Sequence, residues 1–303
     1  MDPLSDVLSL LNTRSSFFVG LRAGGDWTMA LPAPEGIKFN AIVEGSCWLA
    51  VEGVNPPVQL RAGDCFLLSG GRSFTLASDL SVDPIDPQEV YRTLSNGVAS
   101  YGEEKDFFLI GGRFAFCEEA QLLLDSLPPV AIVHGDSEQA PVLHWALHQL
   151  AHELSNASPG GSLMTQYLGH MMLIQVLRTY LASGEAHPAG WLFALSDPRI
   201  NASIDAIHQD PARRWTVSDL AAVAGSSRST YALHFKNKVG FGPLEYVSRW
   251  RMHLAARRLK GSESTVSSIG QSLGYESDSA FSNAFKRIMT CSPREYRERQ
   301  VSA

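Results

Sequence analysis

Cysteine is scarce and scattered: Cys47, Cys65, Cys117 and Cys291 are the four in 303 residues, and no two form a CxxC pair. Zinc knuckles and a disulfide framework are thereby excluded, and free buried thiols in a reducing compartment, the cytoplasm, are expected. Cys47 and Cys117 have no base beside them in sequence and read as core thiols rather than sensors. Long apolar runs are also missing. Met171 to Leu177 is seven residues long and includes Gln175, against about 20 for a bilayer crossing. The first six residues carry two acids and no base, the wrong sign for a signal peptide. No GxSxG elbow, Walker loop, GxGxxG after a strand or HExxH occurs, so neither a catalytic constellation nor a cofactor is expected. Basic residues are few before Ile200, where 10 Lys and Arg face 22 Asp and Glu; from Ile200 onward 15 face 9. A chain at −12 in its first two thirds and +6 in its last third points to a polyanion-binding domain tethered to an acidic one.

With 303 residues, two domains are expected. Asp2 can N-cap a short opening helix with Pro3 at its first position. Brief β-prone runs follow at Phe17–Val19, Trp27–Met29, Phe39–Val43, Trp48–Val51, Cys65–Leu68 and Phe74–Leu76, then at Phe107–Ile110 and Val130–Val133. Gly24-Gly25, Gly45, Pro56-Pro57, Gly63-Asp64 and Gly70-Gly71 punctuate them as turns, a spacing that predicts a small barrel or sandwich. From Pro141 the period changes. Leu143, Leu147, Leu150 and Leu154 form one helical stripe, and Leu163, Tyr167, His170, Ile174, Leu177 and Leu181 a second. These predict a helical hairpin over 140–196, packed on the β-rich part or on a second subunit, with Ser183–Pro198 as linker. His144, His148 and His152 share one face of its first helix; a polar outer stripe outweighs a metal site there. His134 reads as a turn residue.

The last ninety residues are a duplication. Thr216-Val217-Ser218-Asp219-Leu220 with Gly225 returns as Thr265-Val266-Ser267-Ser268-Ile269 with Gly274. Tyr231, Phe235 and Lys236 return as Phe281, Phe285 and Lys286; Pro243-Leu244-Glu245-Tyr246 returns as Pro293-Arg294-Glu295-Tyr296. Each copy reads as a helix-turn-helix: a threonine cap, strengthened in the first copy by Asp219, a glycine turn, then a helix that buries its aromatic pair and exposes its N-terminal face. Pro243 to Lys260 reads as a joining helix stopped by Gly261, with Leu244, Val247, Met252, Leu254, Ala255 and Leu259 as its apolar content. Eighteen residues make it about 27 Å long, of the order needed to hold two reading helices one DNA turn apart.

At these residues the chain resembles the AraC family of bacterial transcription regulators, above all over Ser268–Arg297, and the likeness extends from about Asp197 to Arg299. The resemblance implies base contacts from Ser229, Thr230 and Leu233 in the first copy and from Ser279, Ala280, Ser282 and Asn283 in the second. Arg228, Arg251, Lys286 and Arg287 would contact phosphates, positioning without specifying. Leu233 and Asn283 stand where many relatives look to have arginine; leucine can contact a thymine methyl and asparagine can pair with adenine. The β-rich half resembles the cupin-type barrel that such regulators carry, through Phe39–Gly45 and Arg61–Leu68. Asn40 and Phe74 occupy positions where metal cupins look to have histidine, so no metal is expected there. The implied fold is α+β: a cupin-like β-barrel over 1–139, the helical hairpin, and an all-α tandem helix-turn-helix domain over 197–303. The implied partners are double-stranded DNA, a small-molecule effector, a second copy of the chain and RNA polymerase, with activation as the outcome and no membrane. The competing reading, a cupin-like enzyme with an accessory helical module, would need metal ligands that the sequence lacks.

Overall fold

The computed structural model describes residues 2–9, 17–114, 127–137, 140–156, 158–182, 190–261 and 264–301. Cys117 and most of the expected linker, 183–189, lie outside them. The chain divides into two compact units: Asn12–Ala115 with Leu127–Ala186, and Met1–Leu11 with Phe116–Ser126 and His187–Ala303.

Among the described residues the first unit has ten strands: β1 (Phe17–Ala23), β2 (Thr28–Leu31), β3 (Ile37–Glu44), β4 (Ser46–Val51), β5 (Val54–Arg61), β6 (Cys65–Leu68), β7 (Phe74–Ala77), β8 (Val98–Tyr101), β9 (Phe107–Phe114) and β10 (Val130–Val133). Six form one sheet in the order β10-β6-β3-β9-β1-β8 and four form another in the order β2-β7-β4-β5. Among the described residues the sheets do not join into the closed barrel expected from the cupin resemblance. Alternating residues of both, including Ile42, Leu49, Phe66, Leu76 and Leu109, build the core between them. Val54–Arg61 was expected to turn at Pro56-Pro57 but is a strand. It lies at the edge of the smaller sheet, where a residue without an N–H costs no ladder bond. At the opposite edge of the larger sheet, β8 runs parallel to β1. Cys47 and Cys65 are buried free thiols pushed up to about 12 by burial, as inert as their surroundings suggest.

Two long helices, Ala140–Ser155 and Gly161–Ala182, pair with each other, the first packing on β1 and β3 and the second on β10. Leu143, Leu147 and Leu150 are buried as the first stripe predicts. The second stripe holds in part. Leu177 is buried and His170, Ile174 and Leu181 are half-buried, but Leu163 and Tyr167 are 52% and 62% exposed, and the rest of the buried face runs through Leu168, Met172, Leu173, Val176 and Tyr180. Gly169 lets this face close on the Phe18 ring, which a Cβ there would strike at 2.1 Å. A helix apolar around most of its girth carries no periodic mark of which side is covered.

The second unit is helical. In chain order its helices, with those already described, are α1 (Pro3–Leu8), α2 (Pro87–Tyr91, in the first unit), α3 and α4 (the pair above), α5 (Trp191–Ala194), α6 (Pro198–Gln209), α7 (Val217–Val223), α8 (Arg228–Val239), α9 (Pro243–Gly261), α10 (Val266–Ser272), α11 (Asp278–Met289) and α12 (Pro293–Val301). Asp2 caps α1 by accepting from the Ser5 amide, as expected. The helix then packs on α6 through Val7. Asp6 Oδ2 lies 3.1 Å from His208 Nδ1, and His208 Nε2 lies 2.7 Å from the Tyr246 hydroxyl. The imidazole stacks on Trp250 at 3.8 Å.

Burial pushes His208 down to about 3, so the ring is neutral in the folded protein: Nδ1–H donates to Asp6 and Nε2 accepts from Tyr246. A histidine whose folded pKa lies below its unfolded value of 6.5 weakens the fold as pH falls through that value, because only the unfolded chain takes the proton. Between pH 6.5 and 5 the stability of α6 and α9 should therefore decline, with a limiting slope of about 1.4 kcal/mol per pH unit. Amide hydrogen exchange corrected for intrinsic rates should show it, and His208→Gln should flatten the profile.

Candidate nucleic-acid interface

The duplication seen in sequence returns as duplicated geometry. Thr216 accepts from the Asp219 amide and Asp219 from the Thr216 amide, a complete capping box for α7; Thr265 accepts from Ser268 to start α10. Gly225 and Gly274, at φ +59° and +81°, make the left-handed turns that follow. Ser227 and Ser277 then cap α8 and α11 by accepting from the Thr230 and Ala280 amides. The aromatic sets match ring for ring. Tyr231 and Phe235 are 5.6 Å apart and Phe281 and Phe285 5.9 Å, at 57° in both copies. Phe235 meets Tyr246 edge-on at 5.9 Å, as Phe285 meets Tyr296 at 5.5 Å. The prolines of the repeated Pro-x-Glu-Tyr open α9 and α12, which place those tyrosines. At the ends of the exposed helices the copies differ: Gly240 and Thr290 both take positive φ, cheaply for glycine and at a steric cost for threonine.

With its aromatic face inward, each second helix turns the rest of its surface outward. Ser229, Thr230 and Leu233 on α8 are exposed, Leu233 at 63%. Ser279, Ala280 and Asn283 on α11 are exposed and Ser282 is half-buried. Two N-terminal faces are thus free, each ringed with small or polar groups that can approach base edges. The Ser227 hydroxyl donates to Thr230 Oγ1 at 2.8 Å, fixing one of these side chains. Behind α8, His234 Nε2 lies 2.7 Å from Asp197 Oδ2, joining the exposed helix to the cap of α6. Burial pushes the Asp197 carboxyl up, but the His234 ring and the Ile200 and Arg199 amides outweigh it and hold the group below the usual carboxylate range.

Between the copies α9 runs 19 residues, Pro243–Gly261, about 28 Å. Tyr246 and Trp250 anchor it in the first copy, and Met252, Ala255, Ala256 and Leu259 in the second. Leu244, expected among its apolar contacts, is 43% exposed at the mouth of a groove of about 550 Å³ that Ser248, Arg249 and Arg287 also line. Arg249 is ion-paired with Glu245 at 2.9 Å.

The expected phosphate ligands divide. Arg228, Lys286 and Arg287 are exposed. Arg251 is not similarly free: Nε donates to the Pro211 carbonyl at 2.6 Å, and Nη2 lies 3.3 and 2.9 Å from the Ala212 and Arg213 carbonyls. Its contacts tie α9 to the segment entering the first helix-turn-helix, a role hidden in sequence because the acceptors are backbone groups forty residues away.

Elsewhere the candidates do not assemble. His148 and His152 are exposed, whereas His144 turns its Nε2 toward Gly63, where it is buried without a hydrogen-bond partner. His134 is half exposed, 3.5 Å from Asp64. Among the described residues no group of three or more His, Cys, Asp or Glu could hold a metal ion, and no helix is long and apolar enough to cross a membrane.

A cupin family model matches residues 2–182, and a helix-turn-helix domain model matches residues 220–299. A protein of Streptomyces lividans described as an AraC-like transcription regulator is 46% identical over 299 residues, 98% of each chain. The transcriptional activator RclR of Escherichia coli is 27% identical over 99% of this chain and 98% of its own. Among solved structures, the DNA-binding domain of AdpA in complex with a target DNA matches 35% of this chain and 96% of its own at 29% identity, with a TM-score of 0.33. Tandem helix-turn-helix units behind a cupin domain, and close likeness along nearly the whole length, establish that the chain belongs to the AraC-like family of DNA-binding transcription regulators.

Proposed function

We propose that α8 and α11 enter successive major grooves on one side of a duplex, where Ser229, Thr230 and Leu233, then Ser279, Ala280, Ser282 and Asn283, read bases. Arg228, Lys286 and Arg287 hold phosphates, and Arg251 braces the first reader from behind. The observation that carries this is the pairing of two exposed helix N-terminal faces with one rigid helix of about 28 Å between them, close to the ~34 Å turn of B-DNA. Selecting genomic fragments with the full chain should enrich sites with two half-sites centred about ten base pairs apart; a footprint confined to one groove would overturn the bipartite reading. Arg287→Ala should weaken every sequence alike and reduce the slope of log affinity against log salt by about 0.9. A loss limited to one base position would assign it to reading instead.

The acidic first unit then serves as sensor and dimerisation module rather than enzyme. Val142 and Trp145 on α3 and Leu163, Met164 and Tyr167 on α4 remain exposed, an apolar surface suited to a second copy. Sedimentation of the full chain tests this: a dimer disrupted by Tyr167→Glu is expected. The regulator acts in the cytoplasm, as an activator that contacts RNA polymerase when bound to DNA. A reporter downstream of the selected sites should rise with the protein present, and a fall would reverse the sign.

A further inference from the structure

We infer that the groove between the first turns of α9 and the last turn of α11 seats the sugar–phosphate backbone that separates the two half-sites, with Arg249 and Arg287 as its phosphate ligands. This rests on the bipartite reading and goes further, because it gives α9, otherwise a spacer, a DNA contact of its own. The groove adjoins the proposed reading face. Ala280, Asn283 and Arg287 follow at i, i+3 and i+7 along one stripe of α11, so Arg287, on one bank, continues the line of side chains proposed to meet bases. On the other bank Leu244, Glu245, Ser248 and Arg249 share one face of the first two turns of α9, which Gly240, Phe241 and Gly242 join to the end of α8. A surface lying between two helices in successive major grooves meets the strands that border the minor groove between them.

The lining suits that occupant. A guanidinium group stands on each bank, and Leu244 and Ile288 add aliphatic surface; a DNA strand likewise alternates charged phosphates with less polar sugars. Arg287 is exposed and has no hydrogen bond or ion pair among the described residues. Arg249 is held in place from behind: Nε and Nη2 both donate to Glu245 Oε1, at 3.1 and 2.9 Å, and the guanidinium lies 4.7 Å from the centroid of the Phe241 ring. Nη1 makes no hydrogen bond among the described residues. Both partners of the ion pair are part-exposed and they share a single acceptor oxygen, so the pair is weak. A phosphate, which can accept two parallel bonds from the guanidinium, competes with it on favourable terms. Ser248 contributes space rather than a donor, because its hydroxyl donates to the Leu244 carbonyl at 3.0 Å.

Ethylation interference across the selected site, read with the full chain, tests the assignment. In the parent, ethylated phosphates between the two half-sites should block binding as those within them do. Arg249→Ala should erase the block between the half-sites alone, weaken every sequence about tenfold, lower the slope of log affinity against log salt by about 0.9 and leave base preference as it was. Glu245→Gln frees the guanidinium and removes a carboxylate from beside the phosphates, so it should bind all sequences more tightly. Ser248→Glu puts a second carboxylate in the groove and should weaken binding as Arg249→Ala does; it is the second variant if the first fails to fold. Interference between the half-sites that survives Arg249→Ala, or a Glu245→Gln protein that binds no more tightly than the parent, would overturn the proposal. So would an Arg249→Ala protein that holds DNA like the parent but no longer drives the reporter, which would give the groove to an acidic protein partner. The bipartite reading fails separately. Arg249-dependent phosphates beside a single half-site would keep the groove's role and remove the second reader, whereas two half-sites with no Arg249-dependent phosphate would do the reverse.

Discussion

Phe285→Ala should cost about 3–5 kcal/mol and dismantle the second reader while leaving the first folded. The ring is fully buried and meets Phe281 and Tyr296 at once. It sits in a core with Met252, Leu259, Ile269 and Leu273, contributed by α9, α10 and the turn after it. Removing it opens a cavity that three helices would have to move to fill. Gly270 already lets α10 lie against Phe281, with a Cβ there at 2.9 Å from the ring, so the surroundings have little slack. Hydrogen exchange should lose its protection in α10 to α12 and retain it in α7 and α8, and the footprint on the selected site should shrink to one groove. Phe285→Leu conserves most of the volume and should cost less than about 1.5 kcal/mol. Loss of both copies together would show that α9 transmits the damage and that the tandem is one cooperative unit.

Asn283→Ala should cost about 1–3 kcal/mol on the best site and relax choice at a single base, without altering the fold. The side chain is exposed on α11, so truncation leaves no buried group unpaired, and its amide can both donate to and accept from an adenine edge. Leu233 occupies the corresponding part of α8 and offers only an apolar contact; Leu233→Ala should have a smaller effect, confined to a thymine position. A site library compared between parent, Asn283→Ala and Leu233→Ala checks both. An unchanged base preference in Asn283→Ala would remove that residue from the reading set.

The two helix-turn-helix units were legible in sequence because everything that makes such a unit is local. Thr216 with Asp219, Gly225, and Tyr231 with Phe235 lie within twenty residues, and their return around Thr265 gives an internal control on the register. The first unit was less legible. Eight of its ten strands follow apolar runs, but Val54–Arg61 and Val98–Tyr101 are edge strands with too little apolar alternation to announce themselves. The surroundings of Lys38 and Asn40 on β3 are likewise hidden, because their cross-strand partners Arg113 and Gly111 lie over seventy residues later.

Short-range order, the caps, turns and aromatic pairs of the two readers and hence which side chains face outward, follows from residues a few positions apart, where backbone geometry permits few outcomes. The seating of α1 against His208, the diversion of Arg251 to carbonyls, the covered face of α4 and the gathering of Lys38, Asn40 and Gly111 all join segments far apart along the chain. Such long-range contacts depend on how whole surfaces fit, and neither periodicity nor composition encodes which apolar face or which unpaired donor will meet which partner.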